Sequence, residues 1–167
     1  MPSAKNFLGL LEKLQSSDIT VHQNRCAVVR NRNATCMKCA EVCTSGCISY
    51  NDNELIISPE KCIGCGTCAT VCPTCALEAH RPNDAELLHR CIQAMRAADG
   101  EVVIACEQIV NAAEGLLDLV EVVSVTCLGR VEEGLLVTLA VAGAKHASLV
   151  EGKCASCEHA TGLHMAE

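Results

Sequence analysis

A chain of 167 residues with fifteen cysteines and a formal net charge of −7 is long enough for one ordinary domain or two small ones. The acidic balance argues against nucleic acid as a partner, because phosphate binding requires clustered lysines and arginines. Phe7 and Tyr50 are the only aromatic residues, so base stacking is excluded as well.

The cysteine count and the apolar stretches indicate the compartment. The count is odd and the spacing is typical of metal ligands rather than disulfides, so we expect a reducing cytoplasm. Lys5, Glu12 and Lys13 interrupt the first apolar stretch, which therefore does not look like a signal peptide. No run of about eighteen apolar residues is present, so no membrane span is predicted, and residues 135–147 read as a buried helix.

Residues 1–18 are predicted to form an amphipathic helix, with Phe7, Leu10, Leu11 and Leu14 on one face. Such a helix either folds back on its own domain or docks against a partner subunit. Residues 19–21 and 26–29 follow as β-prone runs. Three arginines then form a small basic patch, interpreted either as a solvated loop or as a contact for an acidic partner: Arg25, Arg30 and Arg32.

The densest feature is residues 36–75, where nine cysteines fall within forty residues. The second run reads Cys62-Ile-Gly-Cys65-Gly-Thr-Cys68-Ala-Thr-Val-Cys72-Pro73, the C-x2-C-x2-C-x3-C-P spacing of a [4Fe–4S] site. The first run, Cys36, Cys39, Cys43 and Cys47, has one extra residue and no following proline. Gly64 and Gly66 suit a loop that wraps an inorganic core at close range.

These motifs resemble the two-cluster ferredoxins, in which the fourth cysteine of each run ligates the other cluster. The resemblance implies an α+β ferredoxin-like domain over residues 19–82 with two [4Fe–4S] clusters. One cluster would be held by Cys36, Cys39, Cys43 and Cys72, and the other by Cys62, Cys65, Cys68 and Cys47. Two zinc knuckles are the alternative, and the altered first run leaves open another nuclearity or an incomplete site.

The helices and strands around these motifs are predicted from local sequence patterns. Residues 48–50 and 55–57 predict a hairpin, and residues 76–80 are expected to pair with the strand before Cys36. Cys26 is predicted to be a buried thiol, and Cys75 to pack in the core rather than bind metal. Residues 83–100 predict a linking helix, over 85–98, with Cys91 on its apolar face.

Residues 101–167 predict a small α/β domain. Continuous apolar strands over 102–105, 119–125 and 147–150 alternate with helical segments, including one over 132–144, which indicates a parallel sheet covered on its faces. Functional groups of such sheets gather beyond the carboxyl ends of the strands. Four thiols occupy such positions and suggest a third metal site, although independently buried thiols are the alternative: Cys106, Cys127, Cys154 and Cys157.

This half resembles the delta subunits of methyl-viologen-reducing hydrogenases, through Cys106, Cys127-Leu-Gly-Arg130-Val and Gly152-Lys-Cys154-Ala-Ser-Cys157. The resemblance implies a [2Fe–2S] cluster on those four cysteines, with zinc or no metal as alternatives. The lone Cys106 departs from the paired cysteines of the family, and the few residues after Cys157 indicate a truncated or reduced version. His159 is a further candidate ligand.

Together these features predict an electron-transfer subunit rather than an enzyme. It would relay single electrons between partner redox proteins of a hydrogenase, formate dehydrogenase or heterodisulfide reductase type, within a hetero-oligomer. No G-x-G-x-x-G fingerprint is present and no nucleophile–base constellation can be placed, so catalysis would belong to the partner. The alternative function is a redox or metal sensor or scaffold that uses Cys154 and Cys157.

Overall fold

The computed structural model describes residues 18–113 and 122–157. Three predictions lie outside or partly outside these ranges. They are the amphipathic helix over residues 1–18, the beginning of the strand predicted over 119–125, and the tail that carries His159.

The first half consists of two small antiparallel sheets and three short helices. Strand β1 (Ile19–Val21) pairs with β4 (Leu77–Ala79), and β2 (Ile48–Asn51) pairs with β3 (Glu54–Ile57). Helices α2 (Lys38–Glu41) and α3 (Thr67–Thr70) each lie within one of the cysteine runs. The predicted hairpin and the predicted pairing of residues 76–80 with the first strand are both confirmed.

The β-prone segment after the first strand forms a helix instead. Helix α1 (Ala27–Arg30) includes all but the first residue of the segment 26–29, for which strand propensity was the stronger local signal. A turn, in which Arg25 N–H donates to His22 O, carries the chain away from the first strand. No strand of the described residues pairs with this segment. Arg30 N–H and Asn31 N–H instead donate to carbonyl groups four residues earlier.

The second half is built on a three-stranded parallel sheet. Helix α4 (Asp84–Ala97) begins at Asn83, whose side chain accepts a hydrogen bond from Glu86 N–H. Strands β5 (Glu101–Cys106), β6 (Val122–Val125) and β7 (His146–Val150) lie in the order β6-β5-β7 and run parallel, as predicted. Helices α5 (Glu107–Ala112) and α6 (Glu133–Val141) also belong to this half.

Two separate hydrophobic cores match these halves. The first contains Ile19, Leu55 and Leu77 together with buried cysteines, and the second gathers side chains from α4, β5, β6 and α6. Helix α4 supplies Leu87 and Cys91 to the second core, so it packs as part of that half rather than only connecting the two.

Helix α6 is less buried than its uniformly apolar sequence indicated. Leu135 and Leu139 are buried, but Val137 and Val141 are 63% and 85% exposed. The helix therefore lies on the surface with one face in the core, because only one side of it meets another element. Among the described residues, none of the helices combines the length and apolarity needed to cross a bilayer.

Candidate metal centres

The second cysteine loop depends on two glycines. Gly64 and Gly66 have φ of +69° and +76°, in the left-handed region that favours glycine, and both are buried. A Cβ on Gly64 would lie 3.2 Å from Asp18 Oδ2, and one on Gly66 would lie 2.4 Å from Arg130 Cδ. Both positions therefore require glycine, whereas the predicted wrapping of an inorganic core stays a prediction.

Three members of the first predicted ligand set lie near one another. Burial raises the pKa of Cys39 to about 11, and the charges of Cys72 and Cys36 raise it further against a hydrogen bond from Ala40 N–H. Cys72 comes from the second run, so the fold brings the fourth cysteine of that run to the first set. The proximity is compatible with the crossed arrangement that the ferredoxin resemblance implies, and the ligand set itself stays a prediction.

The second predicted set is also drawn together. A hydrogen bond to the Cys62 thiol raises the pKa of Cys47, and burial adds to that effect. Burial raises the pKa of Cys68 to about 12, followed by the charges of Cys65 and Cys62. Cys47, from the first run, is thus in direct contact with the second run.

Cys43 lies between the two sets. Its Sγ is 3.4 Å from Sγ of Cys47, which the resemblance assigns to the other cluster, and its charge also acts on Cys68. Burial favours the neutral thiol of Cys43, but hydrogen bonds from Ser45 and from Cys47 lower its pKa below the usual value. The two sets therefore adjoin each other within one core.

Hydrogen-bond donors surround several of these sulfur atoms. Ala76 N–H donates a hydrogen bond to Cys72 Sγ over 3.2 Å. Burial raises the pKa of Cys72, but hydrogen bonds from Thr74 and Ala76 lower it, and the net result is a pKa below the ordinary value of a cysteine. Burial raises the pKa of Cys65, although the backbone N–H of Thr67 favours its thiolate. Thiolates that accept backbone N–H bonds in a glycine-containing loop fit the ligation of an iron–sulfur cluster.

The spacing of these thiols differs from that of a site for one metal ion. Within residues 18–113 and 122–157, no three cysteine, histidine or carboxylate side chains converge closely enough to hold a single ion. A cubane cluster distributes its four thiolates over four irons, so its ligands surround a volume rather than a point.

The two cysteines of the first half that lie outside the proposed ligand sets differ in solvent exposure. Cys26 is buried beside Cys39, as predicted. The prediction that Cys75 packs in the core is wrong, because its side chain is exposed. Its backbone φ is +48° in the turn after Cys72, and this turn directs the side chain to solvent. Its carbonyl accepts a hydrogen bond from Arg25 in the exposed basic patch.

Four of the five cysteines of the second half, all but Cys91, lie toward one edge of the parallel sheet. Cys106 ends β5 opposite Val125 of β6, and Cys127 follows two residues later. Beyond β7, a Cβ on Gly152 would lie 3.4 Å from Cys106 Sγ. Burial raises the pKa of Cys154, followed by the charges of Glu151 and of three thiols: Cys106, Cys127 and Cys157. These electrostatic effects indicate that the thiols lie near one another, but among the described residues no three of them converge closely enough to hold one ion, and a metal site on all four stays a prediction.

The two halves meet beside the second cysteine loop. Helix α3 packs against the 3-10 turn Leu128–Arg130, where a Cβ on Gly129 would lie 2.5 Å from Thr67 Oγ1. The charge of Cys127 also acts on Cys65, so the C-terminal thiols adjoin the second ligand set. Arg130 is buried at this contact and pairs with Asp84. Sequence analysis did not single out Arg130, although the Gly-Arg pair beside Cys127 was a signal for it.

Comparison with known proteins identifies the same region. The 4Fe-4S binding domain family matches residues 55–78. The chain is 38% identical over 50 residues to Ferredoxin-1 of Caulobacter vibrioides, covering 30% of this chain and 44% of that protein. It is 44% identical over 39 residues to Ferredoxin 7Fe of Hydrogenibacillus schlegelii, covering 23% and 50%.

A third similarity is to the Electron transport protein HydN of Escherichia coli, at 45% identity over 40 residues, or 24% of this chain and 23% of that protein. The chain thus spans half or less of the length of these relatives. No solved structure gives a significant match. The resemblance of residues 101–167 to hydrogenase delta subunits stays a prediction. The thiol-lined core and these similarities together support an iron–sulfur protein with a role in electron transfer.

Proposed function

We propose that this protein is an electron-carrier subunit with two [4Fe–4S] clusters in residues 19–82. The proposal is supported by the effect of the Cys72 charge on Cys39 and by the hydrogen bond between the Cys47 and Cys62 thiols, each of which links one cysteine run to the other. One cluster would be held by Cys36, Cys39, Cys43 and Cys72, and the other by Cys62, Cys65, Cys68 and Cys47. The clusters supply one-electron chemistry, and the chain's residues hold them and set their potentials through hydrogen bonds and burial.

We further propose that residues 101–167 form the delta-subunit-like domain, with residues 83–100 as the helix that joins it to the first. Its four cysteines, Cys106, Cys127, Cys154 and Cys157, would hold a [2Fe–2S] cluster, with zinc as the alternative. The effect of Cys127 on Cys65 supports a relay in which this third centre adjoins the second cubane. Cys106 and Cys127 are buried, whereas Cys154 and Cys157 are partly exposed, so a metal would be approached from their side.

The partners in this proposal are redox proteins of a hydrogenase, formate dehydrogenase or heterodisulfide reductase type. The negative net charge would steer the chain toward basic partner surfaces. The similarity to an electron transport protein supports this reading, and a hetero-oligomer in the cytoplasm is the expected setting. Catalysis would take place on the partner.

The first experiment is an anaerobic iron, sulfide and zinc assay of the purified chain, combined with EPR of the reduced protein. We expect about eight irons and spin-coupled [4Fe–4S] signals, or about ten irons with a [2Fe–2S] signal if the third centre is present. About seven irons would indicate that the altered first run assembles a smaller cluster. Zinc with little iron would contradict the proposal.

A ligand variant tests the assignment. Cys68→Ser should lose the second cubane signal and reduce electron throughput between dye donor and acceptor, because Cys68 is a proposed ligand. Cys75→Ser is the matched control, since Cys75 lies in the same stretch but is exposed. Unchanged EPR signals in Cys68→Ser would remove it from the ligand set.

A sensor or scaffold function is the second candidate, supported by the partial exposure of Cys154 and Cys157. The discriminating measurement is alkylation of these two thiols in the protein as isolated. Bound metal protects both thiols, as the relay requires, whereas rapid alkylation with full cubane content favours the sensor.

A further inference from the structure

The feature that the proposed function does not use is a buried arginine at the junction of the two halves. Arg130 is 3% exposed, and its side chain lies on the backbone of Gly66. A Cβ on Gly66 would lie 2.4 Å from Arg130 Cδ and 3.1 Å from Nε. Gly66 directly follows Cys65 and lies two residues before Cys68, so the Arg130 side chain adjoins the loop of the second proposed cluster.

The charge of Arg130 is incompletely balanced by protein groups. Nη2 donates to Asp84 Oδ1, but the Arg130 side chain is 4% exposed while that of Asp84 is 74% exposed. Among the described residues, Nε of Arg130 is buried and has no hydrogen-bond partner. Solvent screens the carboxylate much more than the guanidinium, so a net positive field remains on the loop side.

A buried cation with a single exposed partner is unfavourable unless another negative group compensates it. Gly66, on which the Arg130 side chain lies, belongs to the loop that carries Cys65 and Cys68, and the thiolates of these residues, with the cluster that they are proposed to bind, would carry such a charge. Each added electron makes that cluster more negative. A fixed positive charge at low dielectric therefore stabilises the reduced state more than the oxidised state.

We infer that Arg130 raises the reduction potential of the cluster assigned to Cys62, Cys65, Cys68 and Cys47, and so makes it the preferred electron acceptor of the pair. The inference rests on the proposed function. Arg130 acts through the electric field and does not ligate the cluster. Because Arg130 belongs to the second half, docking of that half onto the ferredoxin-like half is what establishes the potential.

The test is anaerobic film voltammetry of the full chain and of Arg130→Gln, with iron content measured on both. At the potential where the wild-type cluster is half reduced, the variant should show about a tenfold lower ratio of reduced to oxidised cluster, or about 59 mV for a one-electron couple. The potential of one of the two cluster reduction steps should shift, and the potential of the other should stay unchanged. Arg90→Gln, which removes an exposed arginine paired with Glu86, should shift neither.

Two further variants separate an electrostatic role from a structural one. Arg130→Lys keeps the charge and should retain most of the potential. Asp84→Asn removes the compensating carboxylate and should shift the same step upward, by less than Arg130→Gln shifts it downward, because Asp84 is solvated. If the Arg130–Asp84 pair only held the two halves together, Asp84→Asn would not shift the reduction potential upward.

The outcomes are distinguishable. A wild-type chain without iron–sulfur clusters defeats the proposed function itself. Intact clusters with no shift in Arg130→Gln, or equal shifts of both steps, overturn the role of Arg130 alone. If Arg130→Gln does not assemble its clusters, Asp84→Asn decides: an upward shift of one step supports the inference, and an unchanged potential overturns it.

Discussion

The contact between Gly129 and Thr67 permits a quantitative test of how the two halves are joined. A Cβ on Gly129 would lie 2.5 Å from Thr67 Oγ1 and 3.2 Å from its Cγ2. Thr67 is 1% exposed and cannot move into solvent. Overpacking of this kind destabilises proteins by about 1–3 kcal/mol, so Gly129→Ala should lower the free energy of unfolding by that amount. Anaerobic urea titration followed by cluster absorbance and circular dichroism would measure it.

A double-mutant cycle identifies the cause. Thr67→Ala removes the two nearest of the three Thr67 atoms that a Cβ at position 129 would meet and leaves only Cβ, at 3.4 Å. The combined variant should therefore recover about 1 kcal/mol or more relative to the sum of the single effects. Gly134→Ala is the matched control, because a Cβ there meets its nearest atom at 3.7 Å. It should stabilise helix α6 by about 0.4–1 kcal/mol. Wild-type stability in Gly129→Ala, or strict additivity in the cycle, would refute the steric argument.

Three further predictions concern packing and thiol reactivity. Leu139→Ala, at a fully buried position, should lower the unfolding free energy by about 2–5 kcal/mol in urea titration, while Val141→Ala on the exposed face should change it by less than about 0.5 kcal/mol. Iodoacetamide should alkylate exposed Cys75 well before Cys91, because burial hides the Cys91 thiol and raises its pKa to about 11. Peptide mass spectrometry would record both rates, and equal rates would contradict the assigned burial. Gly64→Ala should cost about 1–2 kcal/mol from its left-handed backbone, measurable as a lower urea midpoint.

The elements that sequence predicted best are those whose pattern is local. The hairpin over residues 48–57 has a turn between two alternating runs, and α4 begins at the Asn83 cap that its sequence suggests. The parallel sheet and the gathering of Cys106 and Cys127 at one edge followed from continuous apolar strands. These features require no knowledge of distant contacts.

The predictions that differed from the structure depended on what a segment meets in three dimensions. Residues 26–29 have strand propensity, yet within residues 18–113 and 122–157 no strand pairs with them. Cys75 is apolar enough for a core, but its left-handed backbone places it outside. The burial of Arg130 against Gly66 requires the docking of segments 64 residues apart in sequence, which periodicity cannot report.

The first core is made to a large extent from the same sulfur atoms that would hold the cofactors. Cys39, Cys47 and Cys68 are buried in it, and Cys43, Cys62 and Cys72 pack against it. If these thiols bind clusters as proposed, oxidation of a cluster removes core packing together with redox function. The working lifetime of the protein would then be limited by exposure to oxygen more than by heat, and its abundance in a cell would follow the supply of iron and sulfide.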